Sequence, residues 1–248
     1  APERVRPALR HVDRRVVGGA AVAVAFMVLL AAALLVGWIF DTIDTSRGFA
    51  QWDESAAEWG ATNATETSTD VLTLFTQFGA TRYVLPLMLI VGLVDVARHR
   101  NWNVVGYLAA AGIGIVLLNN GLKLLVDRER PDIARLVGHA GSSFPSGHSA
   151  AAAACWAALA LVAFRHFHRR SRIAAFAGAV AIALVVAVSR VLLGVHWLTD
   201  VIAGVVVGWT WFFLVSILFG GRLVKLGEPA ERVAEGRLTP EPLELEHS

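Results

Sequence analysis

The chain has 248 residues, of which 56% are apolar and 17% are charged, and its mean hydropathy is +0.57. Soluble domains have roughly 45–50% apolar and about 25% charged residues, so this composition disfavours a soluble enzyme and a disordered protein. The formal net charge of +2 is too small to support nucleic-acid binding. The single cysteine, Cys155, excludes an internal disulfide and a cysteine-rich zinc site.

The apolar residues are gathered into segments of membrane-spanning length. A spanning helix needs about 20 largely uncharged residues. Six segments meet or approach this length: 16–40, 81–97, 101–122, 149–164, 173–189 and 201–221. The first has 25 uncharged residues, more than a cleavable signal core, and is interpreted as a retained span. The sequence therefore predicts an all-α bundle of six transmembrane helices.

Basic residues flank these segments asymmetrically. With the N-terminus in the cytoplasm, 15 of the 22 lysines and arginines lie on the cytoplasmic side, as the positive-inside rule expects. Residues 1–15 are then a cytoplasmic segment, 16–221 the membrane domain and 222–248 a cytoplasmic tail. Residues 41–70 contain seven acidic residues and one basic residue, and we expect them to form an extracytoplasmic loop.

Cations at the extracytoplasmic end of the third segment depart from this rule. Charges beside hydrocarbon are costly and usually mark a functional site, and cations there indicate an anion such as phosphate. The sequence KLLVDRERP holds Lys123, Arg128 and Arg130. Seven residues make about two helical turns, so Lys123 and Arg130 are expected to share one side of a helix that Pro131 ends. Alone, this cluster fits contacts with lipid headgroups equally well.

A second cluster, SSFPSGHS, precedes the fourth segment. Its proline and glycine predict a turn, followed by a helix that starts near His148. Backbone N–H groups at a helix N-terminus bind anions, and Gly147 would allow close approach while Ser146 adds a hydroxyl donor. His148 can supply a proton near neutral pH. The alternative is a serine-capped helix with an incidental histidine.

The third cluster, SRVLLGVHWLTD, joins the fifth and sixth segments and begins with Ser189 and Arg190. His196 and Asp200 are four residues apart and are expected to be neighbours on one helical face. A carboxylate that accepts one ring N–H leaves the other nitrogen free as a base or nucleophile. The alternative is a capping histidine beside an interfacial aspartate. All three clusters fall on one side of the membrane, which favours a single shared site.

The three motifs resemble the signature of the type 2 phosphatidic acid phosphatase (PAP2) family, the membrane relatives of vanadium haloperoxidases. The family pattern K-x6-R-P, P-S-G-H and S-R-x5-H-x3-D is filled at every position by residues 123–131, 145–148 and 189–200. This resemblance implies a helical bundle and a metal-independent lipid phosphatase that needs no cofactor.

The resemblance also implies a role for each motif residue. His196 would be the nucleophile that forms a phosphohistidine, and Asp200 would orient it. His148 would protonate the leaving oxygen and then activate water. The phosphate oxygens would be bound by Lys123, Arg130, Ser146, Gly147 and Arg190, with a lesser binding role for Arg128.

Three functional classes fit these motifs: a lipid phosphatase of the outer leaflet, a soluble-type haloperoxidase or acid phosphatase, and a non-enzymatic lipid-binding protein or flippase. The six apolar segments disfavour the second class. A nucleophile and an acid disfavour the third, because binding alone needs only cations. A zinc site at His139, His148 and His196 is a weaker alternative, since the dense cations would repel a metal.

The expected substrate is a lipid that presents its phosphate at the outer surface of a bacterial plasma membrane. We expect a polyprenyl diphosphate such as undecaprenyl diphosphate, on the compact six-span resemblance. The alternative is phosphatidic acid or phosphatidylglycerophosphate. Expected partners are this lipid and the surrounding membrane lipids, without nucleic acid, and the sequence does not indicate an oligomeric state.

Overall fold

The computed structural model describes residues 14–44, 48–133 and 141–223, and the regular elements in these ranges are helical. The α-helices are α1 (Arg14–Asp44), α2 (Gln51–Thr62), α3 (Glu66–Thr76), α4 (Thr81–His99), α5 (Asn103–Leu125), α6 (Gly147–Phe164), α7 (Arg169–Leu192) and α8 (Leu198–Leu223). Short 3-10 turns at Gly48–Ala50 and Gln77–Gly79 precede α2 and α4. The all-helical prediction is confirmed for this part of the chain.

Five of the described helices, α1, α5, α6, α7 and α8, are long and apolar enough to cross a membrane. A sixth span is present if α3, its 3-10 turn and α4 count as one element, which bends by 46°. Helix α4 does not count as a span by itself because it carries three charged residues, Arg82, Asp95 and Arg98. The structure therefore supports five or six spans where the sequence predicted six.

Helix α6 lies at the centre of the bundle, packed against α4, α5, α7 and α8. Most of its side chains are buried, and many are alanines. Small residues let membrane helices approach closely, since packing contacts hold them together in lipid. In α8, a Cβ on Gly204 would lie 2.6 Å from the Ser146 carbonyl oxygen, and one on Gly208 would lie 2.4 Å from that of Ala150. These two glycines therefore fix the first half of α8 against the start of α6.

The acidic segment 41–70, predicted as a loop, is largely helical. Helix α1 extends to Asp44, and α2 and α3 follow. A capping box starts α3: the Thr65 backbone N–H donates to Ser68 Oγ at 2.9 Å, and the Ser68 N–H donates to Thr65 Oγ1 at 3.1 Å. These helices are too short and too polar at their N-termini to stand out as apolar segments of membrane length. Helix α2 packs on α7 and α8, and α3 packs on α7.

Candidate active site

A cavity of about 330 Å³ lies where the end of α5 meets the start of α6, the end of α7 and the α7–α8 turn. Six of the nine residues predicted from the motifs line it: Lys123, Arg130, Gly147, His148, Arg190 and His196. Residues more than 70 positions apart in the sequence thus meet in one place. The cavity combines three cationic side chains, two imidazoles and a helix N-terminus.

Lys123 and Arg130 meet in the cavity, although they do not share a helix. Helix α5 ends at Leu125, before Pro131, so the prediction of a helix continuing to the proline is wrong. Instead both side chains bind the segment before α6. Lys123 Nζ donates to the Ser142 carbonyl oxygen at 2.5 Å, and Arg130 Nη2 donates to the same oxygen at 3.2 Å. A shared backbone acceptor therefore brings the two cations together.

The guanidinium of Arg130 is held on two sides. Its Nε donates to the Gly141 carbonyl oxygen at 2.9 Å, and its Nη1 donates to the Val195 carbonyl oxygen at 2.7 Å. The same Nη1 lies 3.3 Å from Nε2 of His196. A planar fork fixed in this way suits the oxygens of a phosphate beside that nitrogen.

His196 is buried and precedes α8, which begins at Leu198 rather than at the histidine. Its Nδ1 lies 3.5 Å from Asp200 Oδ2, which is long for a hydrogen bond. Burial, together with the charges of Arg130 and Arg190, lowers the pKa of His196 to about 4, although the Asp200 carboxylate opposes this shift. The imidazole is therefore neutral at neutral pH, and its Nε2 can act as a nucleophile.

Arg190 is buried at the end of α7, and its Nη1 donates to Thr76 Oγ1 at 3.2 Å. No described protein group accepts a hydrogen bond from its Nε. A buried guanidinium donor without a protein acceptor is costly, so Arg190 is suited to binding an anion in the cavity that it lines.

Ser146 and Gly147 differ in their relation to the cavity. Gly147 begins α6 and lines the cavity. The Ser146 side chain is buried, and its Oγ accepts a hydrogen bond from Ser149 Oγ at 2.9 Å. Its backbone N–H donates to the Asp200 carbonyl oxygen at 3.0 Å. The predicted contact between the Ser146 hydroxyl and phosphate stays a prediction.

Arg128 lies behind the cavity, between two carboxylates. Its Nη1 donates to Asp200 Oδ1 at 2.5 Å and to Thr199 Oγ1 at 2.7 Å, and its Nη2 donates to Asp53 Oδ2 at 2.8 Å. The other oxygen of Asp200 accepts hydrogen bonds from Ser143 Oγ and, at 2.9 Å, from the Trp197 N–H. The geometry thus places Arg128 where it neutralises Asp200, and its contact with phosphate stays a prediction.

Asp53 is the residue of this network that the sequence analysis missed. It lies in α2, is 4% exposed, and accepts hydrogen bonds from the backbone N–H and the hydroxyl of Thr199 at 2.8 and 2.7 Å. Its motif partners lie at least 75 residues further along the chain. The acidic composition of residues 41–70 was the only signal, and it could not single out one carboxylate.

A metal centre was the weaker alternative for these histidines. Within the described ranges, no group of three His, Cys, Asp or Glu side chains is placed to hold a metal ion. His139, which the zinc alternative required, lies outside the described residues.

Comparisons with known proteins agree on one family. The model of the PAP2 superfamily matches residues 101–223. Phosphatidylglycerophosphatase B of Bacillus subtilis is 38% identical over 149 residues, which cover 59% of this chain and 73% of that protein. A lipid A 1-phosphatase of Rhizobium etli is 34% identical over 157 residues, which cover 58% of this chain and 63% of that protein.

A solved structure is also similar in fold. The crystal structure of a transmembrane PAP2-type phosphatidylglycerolphosphate phosphatase from Bacillus subtilis superposes with a TM-score of 0.70 at 31% sequence identity. The match covers 80% of this chain and 96% of that one.

Proposed function

This chain belongs to the PAP2 superfamily and is a membrane lipid phosphatase, and from that premise we propose that it removes the terminal phosphate of phosphatidylglycerophosphate. The observation that carries the phosphatase reaction is the cavity in which Arg130 and Arg190 flank the neutral imidazole of His196, and the names of the relatives support the choice of lipid. The polyprenyl diphosphate favoured by the sequence analysis receives less support, because the relatives reported above are named for phosphatidylglycerophosphate and lipid A.

The proposed reaction has two steps, and His196 carries the phosphoryl group between them. In the first, His196 Nε2 attacks phosphorus, the bond from phosphorus to the ester oxygen breaks, and His148 gives its proton to the departing alkoxide. In the second, His148 takes a proton from water, whose oxygen attacks phosphorus and breaks the bond to nitrogen. The products are an alcohol and inorganic phosphate, and both histidines return to their starting states.

Charge stabilisation and positioning provide most of the proposed rate enhancement, as in other phosphoryl transfers. Lys123, Arg130 and Arg190, with the Gly147 backbone N–H, would bind the three oxygens that carry negative charge. Asp200 would stabilise the positive charge that His196 acquires when it bonds to phosphorus.

The placement of charges supports an extracytoplasmic active site. Ile39, near the C-terminus of α1, packs against Phe144 and Ala203 close to the cavity. The N-terminus of α1 and the C-terminus of α8 therefore lie at the opposite end of the bundle. That opposite end holds Arg98, Arg165 and the start of α7 with its three further arginines. The positive-inside rule assigns this basic end to the cytoplasm. We accordingly take 16–221 as the phosphatase domain, with cytoplasmic termini; residues 1–13 and 224–248 lie outside the described ranges.

The proposal is tested by phosphate release from a panel of substrates in one detergent. The panel contains phosphatidylglycerophosphate, phosphatidic acid, undecaprenyl diphosphate and p-nitrophenyl phosphate. We expect the highest kcat/KM for phosphatidylglycerophosphate, and a loss of at least about 10³-fold in His196→Ala. His168→Ala, in the loop between α6 and α7, is the matched control and should retain activity.

Two results would contradict different parts of the proposal. A preference for p-nitrophenyl phosphate over every lipid would overturn the lipid substrate. A preference for the diphosphate would overturn only the choice of lipid.

A further inference from the structure

A second cavity adjoins the first and is lined partly by residues that the first cavity lacks. It has a volume of about 380 Å³ and is lined on one side by α3, the 3-10 turn and the start of α4. Its polar lining includes Thr73, Thr76, Gln77 and Arg82. Thr81, His148 and Arg190 line both cavities. The two spaces therefore meet at the proposed acid and at one of the phosphate-binding cations.

Among the residues that line this second cavity, Arg82 is the charged side chain that the proposed reaction does not use. Its Nη2 donates to Gln77 Oε1 at 2.8 Å, and its guanidinium lies 5.0 Å from the centre of the Tyr83 ring. Gln77 is held in turn, because its Nε2 donates to the Thr73 carbonyl oxygen at 3.1 Å. Arg82 is exposed, and no described carboxylate forms an ion pair with it, so its charge is available to an anionic ligand. A positioned and uncompensated cation suits a second anionic group.

The proposed chemistry determines which part of the substrate occupies the second cavity. The phosphate that reacts must lie next to His196, which lines only the first of the two cavities. Its ester oxygen must face His148, which lines both. The group attached to that oxygen then extends away from His196 and into the second cavity, towards Arg82.

We propose that Arg82 binds the phosphodiester of the substrate headgroup and thereby selects glycerophospholipids that carry two phosphates. The inference rests on the proposed function and narrows it. In phosphatidylglycerophosphate, the leaving alcohol is a glycerol whose far end carries a phosphodiester with one negative charge. In phosphatidic acid, the leaving oxygen belongs to an uncharged diacylglycerol, which gives Arg82 no anionic partner.

The two lipids provide an internal control for this role. The experiment measures kcat/KM of the full chain in detergent for phosphatidylglycerophosphate and phosphatidic acid, with Arg82→Gln, Arg82→Lys and Arg98→Gln beside the unaltered protein. Arg98 is an exposed arginine at the other end of the same helix. Arg82→Gln should lower kcat/KM for phosphatidylglycerophosphate about 10-fold, mainly through KM, because a charged hydrogen bond to the substrate is lost. Its kcat/KM for phosphatidic acid should stay within about twofold.

The remaining outcomes are also decisive. Arg82→Lys should keep a larger share of the phosphatidylglycerophosphate activity than Arg82→Gln, and Arg98→Gln should resemble the unaltered protein. An equal loss of kcat/KM on both lipids would assign Arg82 to general contact with the membrane or to the fold. An unchanged kcat/KM on both lipids would show that Arg82 does not contact the substrate. Both results overturn the inference. If the unaltered protein hydrolyses neither lipid, the proposed function itself fails, and this outcome is distinct from the other two.

Discussion

At the scale of single residues, Asp200 beside His196 is held by a network of buried charges that includes Arg128 and Asp53. Asp200 is fully buried, and an uncompensated charge there would be strongly destabilising. Arg128 supplies the compensation, and Asp53 holds Arg128 by its other nitrogen. Helix α2 is thereby connected through two ion pairs to Asp200, the neighbour of His196.

We expect Asp53→Asn to lower kcat about 10-fold while KM changes less than about threefold, because Asp53 holds Arg128, which in turn holds Asp200, and does not line the cavity. Steady-state kinetics with phosphatidylglycerophosphate measures both constants, well below the melting temperature of the variant. Glu54→Gln, one position further along α2 and exposed, is the matched control and should leave both constants unchanged. An unchanged kcat, or a rise in KM alone, would contradict this positioning role.

The motifs allowed most cavity residues to be predicted, but not how they are held. Lys123, His148 and His196 line the cavity because the end of α5, the start of α6 and the α7–α8 turn lie at the same end of the bundle, as the alternation of spans predicts. The contacts of Arg128 with Asp53, and of Arg190 with Thr76, join segments 75 and 114 residues apart. Such contacts depend on how α2 and α3 pack, and a single sequence does not specify that packing.

At the scale of the helices, the apolar segments predicted the long helices well and the connections poorly. A run of uncharged residues indicates a span without any knowledge of the helices that pack against it. All six predicted segments lie largely within long helices. Pro131 predicts the end of α5 six residues too late, because the chain already leaves the helix at Val126. Helices α2 and α3 have 12 and 11 residues, too few for a span, and they are stabilised by packing on α7 and α8 and, in α3, by the capping box.

The orientation of these helices can be tested by cysteine labelling. We expect Thr67→Cys, exposed in α3, to react with a membrane-impermeant maleimide added to intact cells, because α3 lies at the end assigned to the outside. His168→Cys, exposed between α6 and α7, should react only after lysis. The native Cys155 is buried and should give little background. The reverse pattern would show that the active site faces the cytoplasm.

At the scale of the whole molecule, the chain presents an apolar outer surface with a charged cavity at one end. Large side chains such as Phe26, Leu34 and Leu117 are each about two-thirds exposed, which suits contact with lipid tails. The cavity lies at the helix ends, where a lipid in the bilayer carries its phosphate. A lipid can thus present its headgroup to the cations while its tails remain in hydrocarbon, which accounts for a phosphatase built into a membrane bundle.

The central claim of this account is that His196 becomes phosphorylated during turnover, and the most direct measurement is to trap that intermediate. The protein is mixed in EDTA with phosphatidylglycerophosphate labelled with ³²P in its terminal phosphate, then quenched in alkaline detergent, in which phosphohistidine survives. We predict label on the protein within one turnover, located in the peptide that contains His196, and none on His196→Asn. Label on another residue, or undiminished phosphate release by His196→Asn, would contradict the account.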